Sequence, residues 1–272
     1  MGVNLGLIGY PLGHSLSPAM HIAALAHWSL TGSYTLLETP YSELGKRMDE
    51  VRGLYRGINV TIPHKEGVLD HLDELSPEAR AIGAVNTVVN RQGTLVGYNT
   101  DAAGFMKGLS EAGVEVKGQR VIVLGAGGAA RSIIYALTQA GAKVAIYNRT
   151  EGRADRLAKE FGVAMIHGHY ELSQSMRHTE VLINATSVGL KDPQSSPIDQ
   201  IILPAHAAVV DIVYNPTETR LMAEAKAAGL KVVGGLPMLV WQGALAFKLW
   251  TELDPPIDLM FIAARQGLEA VP

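Results

Sequence analysis

The sequence contains no cysteine. Disulfide staples and thiolate metal sites are thereby excluded, and any redox chemistry has to come from a bound cofactor. A surplus of one charge is lacking too: 23 Lys and Arg face 26 Asp and Glu, a formal net charge of −3. Without a basic excess nothing advertises a nucleic-acid or anionic-membrane partner, so a small-molecule function is the default expectation. Long apolar runs are missing as well. The stretch 201–214 is interrupted by Pro204, His206 and Asp211 and is too short for a bilayer. The N-terminus has no basic segment, apolar core and cleavage site of the export type, and Gly6 stands where N-myristoylation needs Ser or Thr. These absences give the expectation of a cytoplasmic protein with no membrane partner; a monomer or a homodimer is expected, and the sequence does not choose between them.

What is present is a regular alternation. At 272 residues with 47% apolar side chains, the chain can supply cores for two modest domains. Short β-rich runs alternate with helix-like stretches, the pattern of parallel sheets with helical crossovers, and the fold class is α/β. The first hundred residues predict strands near 3–8, 34–38, 57–60 and 87–91, with helices over 18–26 and 41–52. From Arg120 a second series begins: strand 120–124, helix 129–140, strand 143–148 and helix 153–161. Strands near 181–184, 208–211 and 231–233 follow, with a helix over 220–228, and together they predict a second open parallel sheet. Residues 238–250 read as a helix carrying Gln242 on an otherwise apolar face; Pro255 and Pro256 separate it from a short last helix.

The sharpest local signal is Val121-Ile-Val-Leu-Gly125-Ala126-Gly127-Gly128-Ala129-Ala130, a strand, a glycine turn and a helix start in immediate succession. Gly125 permits the tight turn, Gly127 lets backbone approach a pyrophosphate, and the helix near Ala129 offers free N–H groups and a positive dipole end. Ala130 replaces the third glycine and is small enough to keep helix and strand close. At the end of the next strand, where NAD-binding proteins usually present an acid, this chain has Tyr147-Asn148-Arg149-Thr150. Arg149 can take a 2′-phosphate, Asn148 and Thr150 can donate hydrogen bonds, and Arg153 adds a second positive charge, so NADP is favoured. A solvated basic loop is the plainer reading of Arg149 alone, and an exposed helix face that of Arg153.

Elsewhere, short polar side chains concentrate in four segments: Gly13-His14-Ser15-Leu16-Ser17-Pro18, Asn59-Val-Thr61-Ile-Pro63-His64-Lys65, Ala84-Val-Asn86-Thr87 and Tyr98-Asn99-Thr100-Asp101. A ligand with several hydroxyls and a carboxylate calls for this mixture. Each segment also has a plainer reading. Ser17-Pro18 is a helix start with serine as N-cap, and Asn86 and Asn99 can cap turns. Lys65 and Asp101 are ordinarily surface residues; together, an ammonium beside a carboxylate can supply the proton and the charge that ketone reduction requires. No two histidines have zinc-helix spacing; His14, His64 and His206 read as loop or packing residues, and no metal is expected.

In this order and spacing the segments resemble the shikimate dehydrogenase family. Further markers are Gly83-Ala-Val-Asn86-Thr87, Asn184-Ala-Thr186-Ser187, Tyr214-Asn-Pro216-Thr217 and Gly235-Leu-Pro-Met238-Leu-Val-Trp-Gln242. The resemblance implies an N-terminal α/β substrate domain, residues 1–102 completed by C-terminal helices over 237–272. It also implies a doubly wound Rossmann NADP-binding domain over 103–236, with the active site in the cleft between the two. It implies reduction of 3-dehydroshikimate to shikimate with NADPH, with Lys65 and Asp101 as the catalytic pair. Substrate contacts carried over in the same way are Ser15, Ser17, Asn59, Thr61, Asn86, Tyr214 and Gln242. On the cofactor side it adds Thr186, Ser187, Gly235 and Met238 to Gly125, Ala126, Gly127, Gly128 and Ala129. One departure is Ala102, where the family commonly has glycine. Quinate or aminoshikimate dehydrogenases, and a non-catalytic NADP-binding sensor, remain as alternatives.

Overall fold

The computed structural model describes residues 2–13, 15–199 and 202–269, so His14 and Ile201 lie outside the described residues. The chain divides into two compact units, Met1–Gly104 with Val240–Pro272, and Phe105–Leu239.

In chain order the first unit begins with β1 (Val3–Gly9), α1 (Ser17–His27), β2 (Gly32–Glu38), α2 (Leu44–Leu54) and β3 (Gly57–Val60). There follow β4 (Glu74–Leu75), α3 (Pro77–Ile82), β5 (Thr87–Arg91), β6 (Thr94–Tyr98) and α4 (Asp101–Glu111), within which the chain passes to the second unit. Sheet order is β2-β1-β3-β5-β6-β4. The sequence pattern predicts parallel pairing throughout, and here it fails: β1 is parallel to β2 and β3, but β5 is antiparallel to both β3 and β6. The cause is a tight hairpin. Gln92 and Gly93, between β5 and β6, both have positive φ (54° and 98°), the backbone of a two-residue turn whose twist suits an antiparallel pair. Side chains such as Ile8, Val51, Ile58, Val60 and Val88 form this unit's core.

The second unit carries β7 (Arg120–Leu124), α5 (Gly128–Gln139), β8 (Lys143–Tyr147), α6 (Glu151–Phe161), β9 (Ala164–Met165) and α7 (Gly168–Met176). It continues with β10 (Val181–Asn184), β11 (Ala208–Asp211), α8 (Arg220–Ala227), β12 (Lys231–Val233) and the start of α9 (Leu236–Thr251); α10 (Ile257–Glu269) ends the described chain in the first unit. All pairs in this sheet are parallel, in the order β12-β11-β10-β7-β8-β9. That is the doubly wound Rossmann order, with the strand order reversing between β7 and β10. Alternate residues of one strand serve opposite faces: Val121 and Val123 enter one apolar cluster, Ile122 and Leu124 another. Burial on both faces explains why these strands read as near-continuous apolar runs. No helix among the described residues is long and apolar enough to cross a membrane.

One expected cap is corrected. Leu16, not Ser17, precedes α1, and Ser17 is the first helical residue with Pro18 behind it. The cap-like contact comes from Ser15, whose Oγ accepts from the Ser17 N–H at 3.3 Å.

Candidate functional site

The register of the first sheet assembles a polar row. Asn59 of β3 lies opposite Thr87 of β5, and Thr87 opposite Tyr98 of β6. Residues just beyond this row leave the sheet together: Asn86 before β5, Thr100 after β6, and Asp101 as the first residue of α4. Asn99 serves the backbone; its Oδ1 accepts from the Ala102 N–H at 3.2 Å and its Nδ2 donates to the Ala84 carbonyl. The turn-capping expectation thus describes Asn99 and not Asn86.

Asn86 is a hub. Its Nδ2 faces Asp101 Oδ1 at 3.0 Å and Gln242 Oε1 at 3.1 Å, while its Oδ1 accepts from the Thr100 N–H at 2.7 Å. Asp101 Oδ2 in turn accepts from Lys65 Nζ at 2.5 Å. The lysine side chain is 16% exposed and the aspartate 5%, so the pair is shielded yet the ammonium is within reach of a ligand. Lys65 has three N–H donors and one of them is directed at Asp101. Gln242 reaches the hub from α9 because Gly104 leaves room: a Cβ there would lie 2.7 Å from the Gln242 backbone nitrogen.

Lys65, Asn86, Asp101 and Gln242 therefore form one hydrogen-bonded cluster. Ser15, Ser17 and Thr61 belong to the same unit but make no hydrogen bond to that cluster among the described residues. Thr61 is fixed by its N–H to the Ile8 carbonyl. Asn59 is buried, with Nδ2 donating to the Asn86 carbonyl and Thr87 Oγ1, and Oδ1 accepting from the Tyr34 hydroxyl. His64 is buried against the Thr39 carbonyl, and His206 is exposed in a loop.

In the second unit the glycine turn follows β7, at the point where the strand order reverses. Gly125 has φ +114°, and a Cβ there would lie 2.9 Å from the Ala185 carbonyl oxygen, so the fold itself demands glycine. Gly127 is different. Its backbone is extended (φ −103°, ψ −176°) and a Cβ would meet nothing within 4 Å among the described residues, none of which calls for glycine here. The residue keeps open a place directly before the first turn of α5, whose N–H groups lack intrahelical partners. Residues and space thus fit a dinucleotide pyrophosphate. Ala130 is fully buried beneath the turn, consistent with the third, small position of the fingerprint. Beyond β8, Arg149, Thr150 and Arg153 are exposed, and neither arginine is ion-paired among the described residues; Asn148 Nδ2 donates to the Thr150 carbonyl. Here α6 starts at Glu151, so Arg153 lies in its first turn.

A second polar network holds the facing loop. Asn184 Nδ2 donates to Asp211 Oδ1 and the Val188 carbonyl, and its Oδ1 accepts from Thr186 N–H and Oγ1. Asp211 also accepts from the Val213 N–H and from Thr219 Oγ1 at 2.7 Å. Burial raises the Asp211 carboxyl above its ordinary pKa despite these donors. Ser187 is exposed beside Thr186. Tyr214, three residues past β11, has its phenol pushed upward by burial. Gly235 abuts the Ile212 carbonyl, where a Cβ would sit 2.1 Å away, and Met238 packs on the sheet's apolar cluster. Sequence reasoning passed over Thr87, Thr100 and Asp211 as site-forming residues. The signal for Asp211 was present as the single acid in an apolar strand.

Comparison with known proteins adds three family matches: a shikimate dehydrogenase substrate binding domain over residues 7–88, shikimate / quinate 5-dehydrogenase over 108–214, and a shikimate 5′-dehydrogenase C-terminal domain over 235–260. An NADP(+) shikimate dehydrogenase of Thermus thermophilus is 50% identical over 98% of this chain and 99% of its own. The crystal structure of shikimate 5-dehydrogenase from that organism with NADP(H) and shikimate superposes with a TM-score of 0.91, at 50% identity, covering 98% of this chain and 100% of that one. A quinate dehydrogenase of Corynebacterium glutamicum in complex with NAD gives a TM-score of 0.89 at 31% identity, covering 97% of this chain and 99% of that one.

Proposed function

The chain belongs to the shikimate dehydrogenase family, and from that premise we propose that it is an oxidoreductase interconverting 3-dehydroshikimate and shikimate with NADP, acting as an NADPH-dependent reductase in the cytoplasm. The observation that carries the reading is the shielded Lys65–Asp101 pair bonded to Asn86 and Gln242. The reduced cofactor, when bound, supplies the hydride. Lys65 holds a proton for the ketone oxygen as negative charge develops there, and its ammonium stabilises that charge in a poorly solvated place. Asp101 fixes the ammonium's position and keeps its charge compensated. Asn86 and Gln242, with Ser15, Ser17 and Thr61, present amides and hydroxyls suited to a polyhydroxy carboxylate.

On the cofactor side, the backbone from Gly125 to Ala129 would hold the pyrophosphate, and Arg149 with Asn148, Thr150 and Arg153 the 2′-phosphate. Thr186, Ser187, Gly235 and Met238 would serve the nicotinamide end.

Oxidation of shikimate and of quinate, each with NADP and with NAD, tests the assignment. Shikimate with NADP should give the highest kcat/KM; a preference for quinate or for NAD would reassign the chain within its family. Lys65→Met should lower turnover by on the order of 10²-fold or more while shikimate and NADPH still bind in an equilibrium titration. Near-normal turnover in that variant would remove Lys65 from the mechanism.

A further inference from the structure

The polar row beneath the reacting pair has a direction. The Asn86 carbonyl can only accept, and Asn59 Nδ2 lies 3.1 Å from it. The Asn59 amide oxygen is therefore turned toward Tyr34, whose hydroxyl, 2.8 Å away, must donate. At the other end the Thr100 N–H can only donate. It points at Asn86 Oδ1, so Asn86 Nδ2 must face Asp101 and Gln242. Between these fixed ends, Thr87 Oγ1 accepts from Asn59 at 3.1 Å, which frees its own proton for Asn86 Oδ1 at 3.3 Å or Thr100 Oγ1 at 3.1 Å. Thr100 Oγ1 lies against the same Asn86 amide, accepting from its Nδ2 at 2.9 Å and lying 3.2 Å from its Oδ1. Every member is buried. Turning either the Asn59 or the Asn86 amide would set two acceptors or two donors against each other in this buried place, whereas the two hydroxyls between them can adjust.

We propose that Tyr34 and Thr87 are positioning residues of the reaction: with Asn59 and Thr100 they form a hydrogen-bonded relay between two fixed amides that aims the Asn86 amide at Asp101 and so sets how the carboxylate addresses Lys65. The inference rests on Lys65 and Asp101 being the reacting pair. Tyr34 is well placed to anchor such a relay. Its ring stacks on His21 at 4.6 Å and 7°, and Trp250 is tilted against both rings, so the direction of the hydroxyl is held by packing. Loss of that hydroxyl leaves a buried amide oxygen without its donor. The amide then gains a reason to turn, and slack passes along the hydroxyls to the carboxylate. Asn59, on this account, acts through Asn86 and not by touching a ligand.

Tyr34→Phe and Thr87→Val, both nearly isosteric, interrupt the relay at different points. In shikimate oxidation with NADP each should lower kcat by about tenfold, with KM for both ligands within about twofold, and each should displace the pH profile of kcat. The double variant should lose no more than the more affected single variant, because both cut one connection. Wild-type kcat in either single variant, with only the melting temperature reduced, would overturn the proposal, as would losses that multiply in the double variant. Lys65→Met separates the two levels. Full turnover in Lys65→Met removes the reacting pair and the relay's purpose with it, whereas its loss there alongside wild-type kcat in Tyr34→Phe removes the relay alone.

Discussion

His21 is a histidine with nowhere to put a proton. It is fully buried, neither ring nitrogen makes a hydrogen bond of ordinary geometry, and its packing partners Tyr34, Trp250 and Gly243 carry no charge. Burial lowers its pKa from 6.5 to about 3, outweighing the opposing influence of nearby Asn59. The unfolded chain therefore takes up this proton as the pH falls through 6.5, while the folded chain refuses it until about 3. Between those values stability falls with falling pH, by about 1.4 kcal/mol per unit for this single group. His21→Phe should flatten the acid side of the stability profile by about one proton, measured by urea unfolding at a series of pH values. An unchanged slope would mean that the ring finds a partner for its proton inside the fold. Nothing in the sequence around His21 announces this; a lone histidine in an apolar helix has the same appearance whether its neighbours are rings or water. The same limit applies to Asn59, where a sequence motif identifies a polar side chain in a site but not whether it faces ligand or supports another residue.

At the scale of elements, legibility followed burial. The strands of the second unit, buried on both faces, and the turn after β7 are written in the sequence as an apolar run ended by glycines, and the structure places them close to the predicted bounds. The first sheet was harder, because its direction reverses at a two-residue hairpin whose signal, Gln92-Gly93, is weaker than the usual Asn-Gly. The start of α4 was hidden for a related reason: Asn99, Thr100 and Asp101 look like a loop, and the Asn99 side chain takes up the Ala102 N–H in the first turn of the helix. The two glycines of the cofactor turn offer a test at this scale. Gly125→Ala forces a side chain into φ +114° against the Ala185 carbonyl and should destabilise the protein by about 1–3 kcal/mol or more. Gly127→Ala meets an ordinary backbone and open space, so its stability should change by no more than about 0.5 kcal/mol. NADPH affinity should nevertheless fall by about tenfold, since the new methyl occupies the approach to the pyrophosphate. Thermal melts with and without NADPH separate the two effects; normal NADPH binding by the Gly127→Ala variant would leave the glycine unexplained.

For the molecule as a whole, charge poses the sharper question. A chain of net charge −3 does not by its average field attract a cofactor carrying several phosphate charges, so attraction has to be local. Many of the second unit's cations are already engaged: Arg131 with Glu160, Lys159 with Asp155, Arg220 with Glu224 and Lys226 with Glu218. Among the described residues Arg149 and Arg153 have no such partner, and they lie just past β8, where a 2′-phosphate is read in this fold. A charge-assisted contact there contributes roughly 1.5–3 kcal/mol, or about one to two decades of affinity. Arg149→Ala should accordingly raise the KM for NADPH by about that factor and leave NADH nearly unchanged. Because both arginines are exposed, the wild-type preference for NADPH should also shrink as salt is added, and the variant's should respond less. Parallel losses for NADPH and NADH, insensitive to salt, would show that Arg149 supports the loop's shape and that the 2′-phosphate is recognised elsewhere.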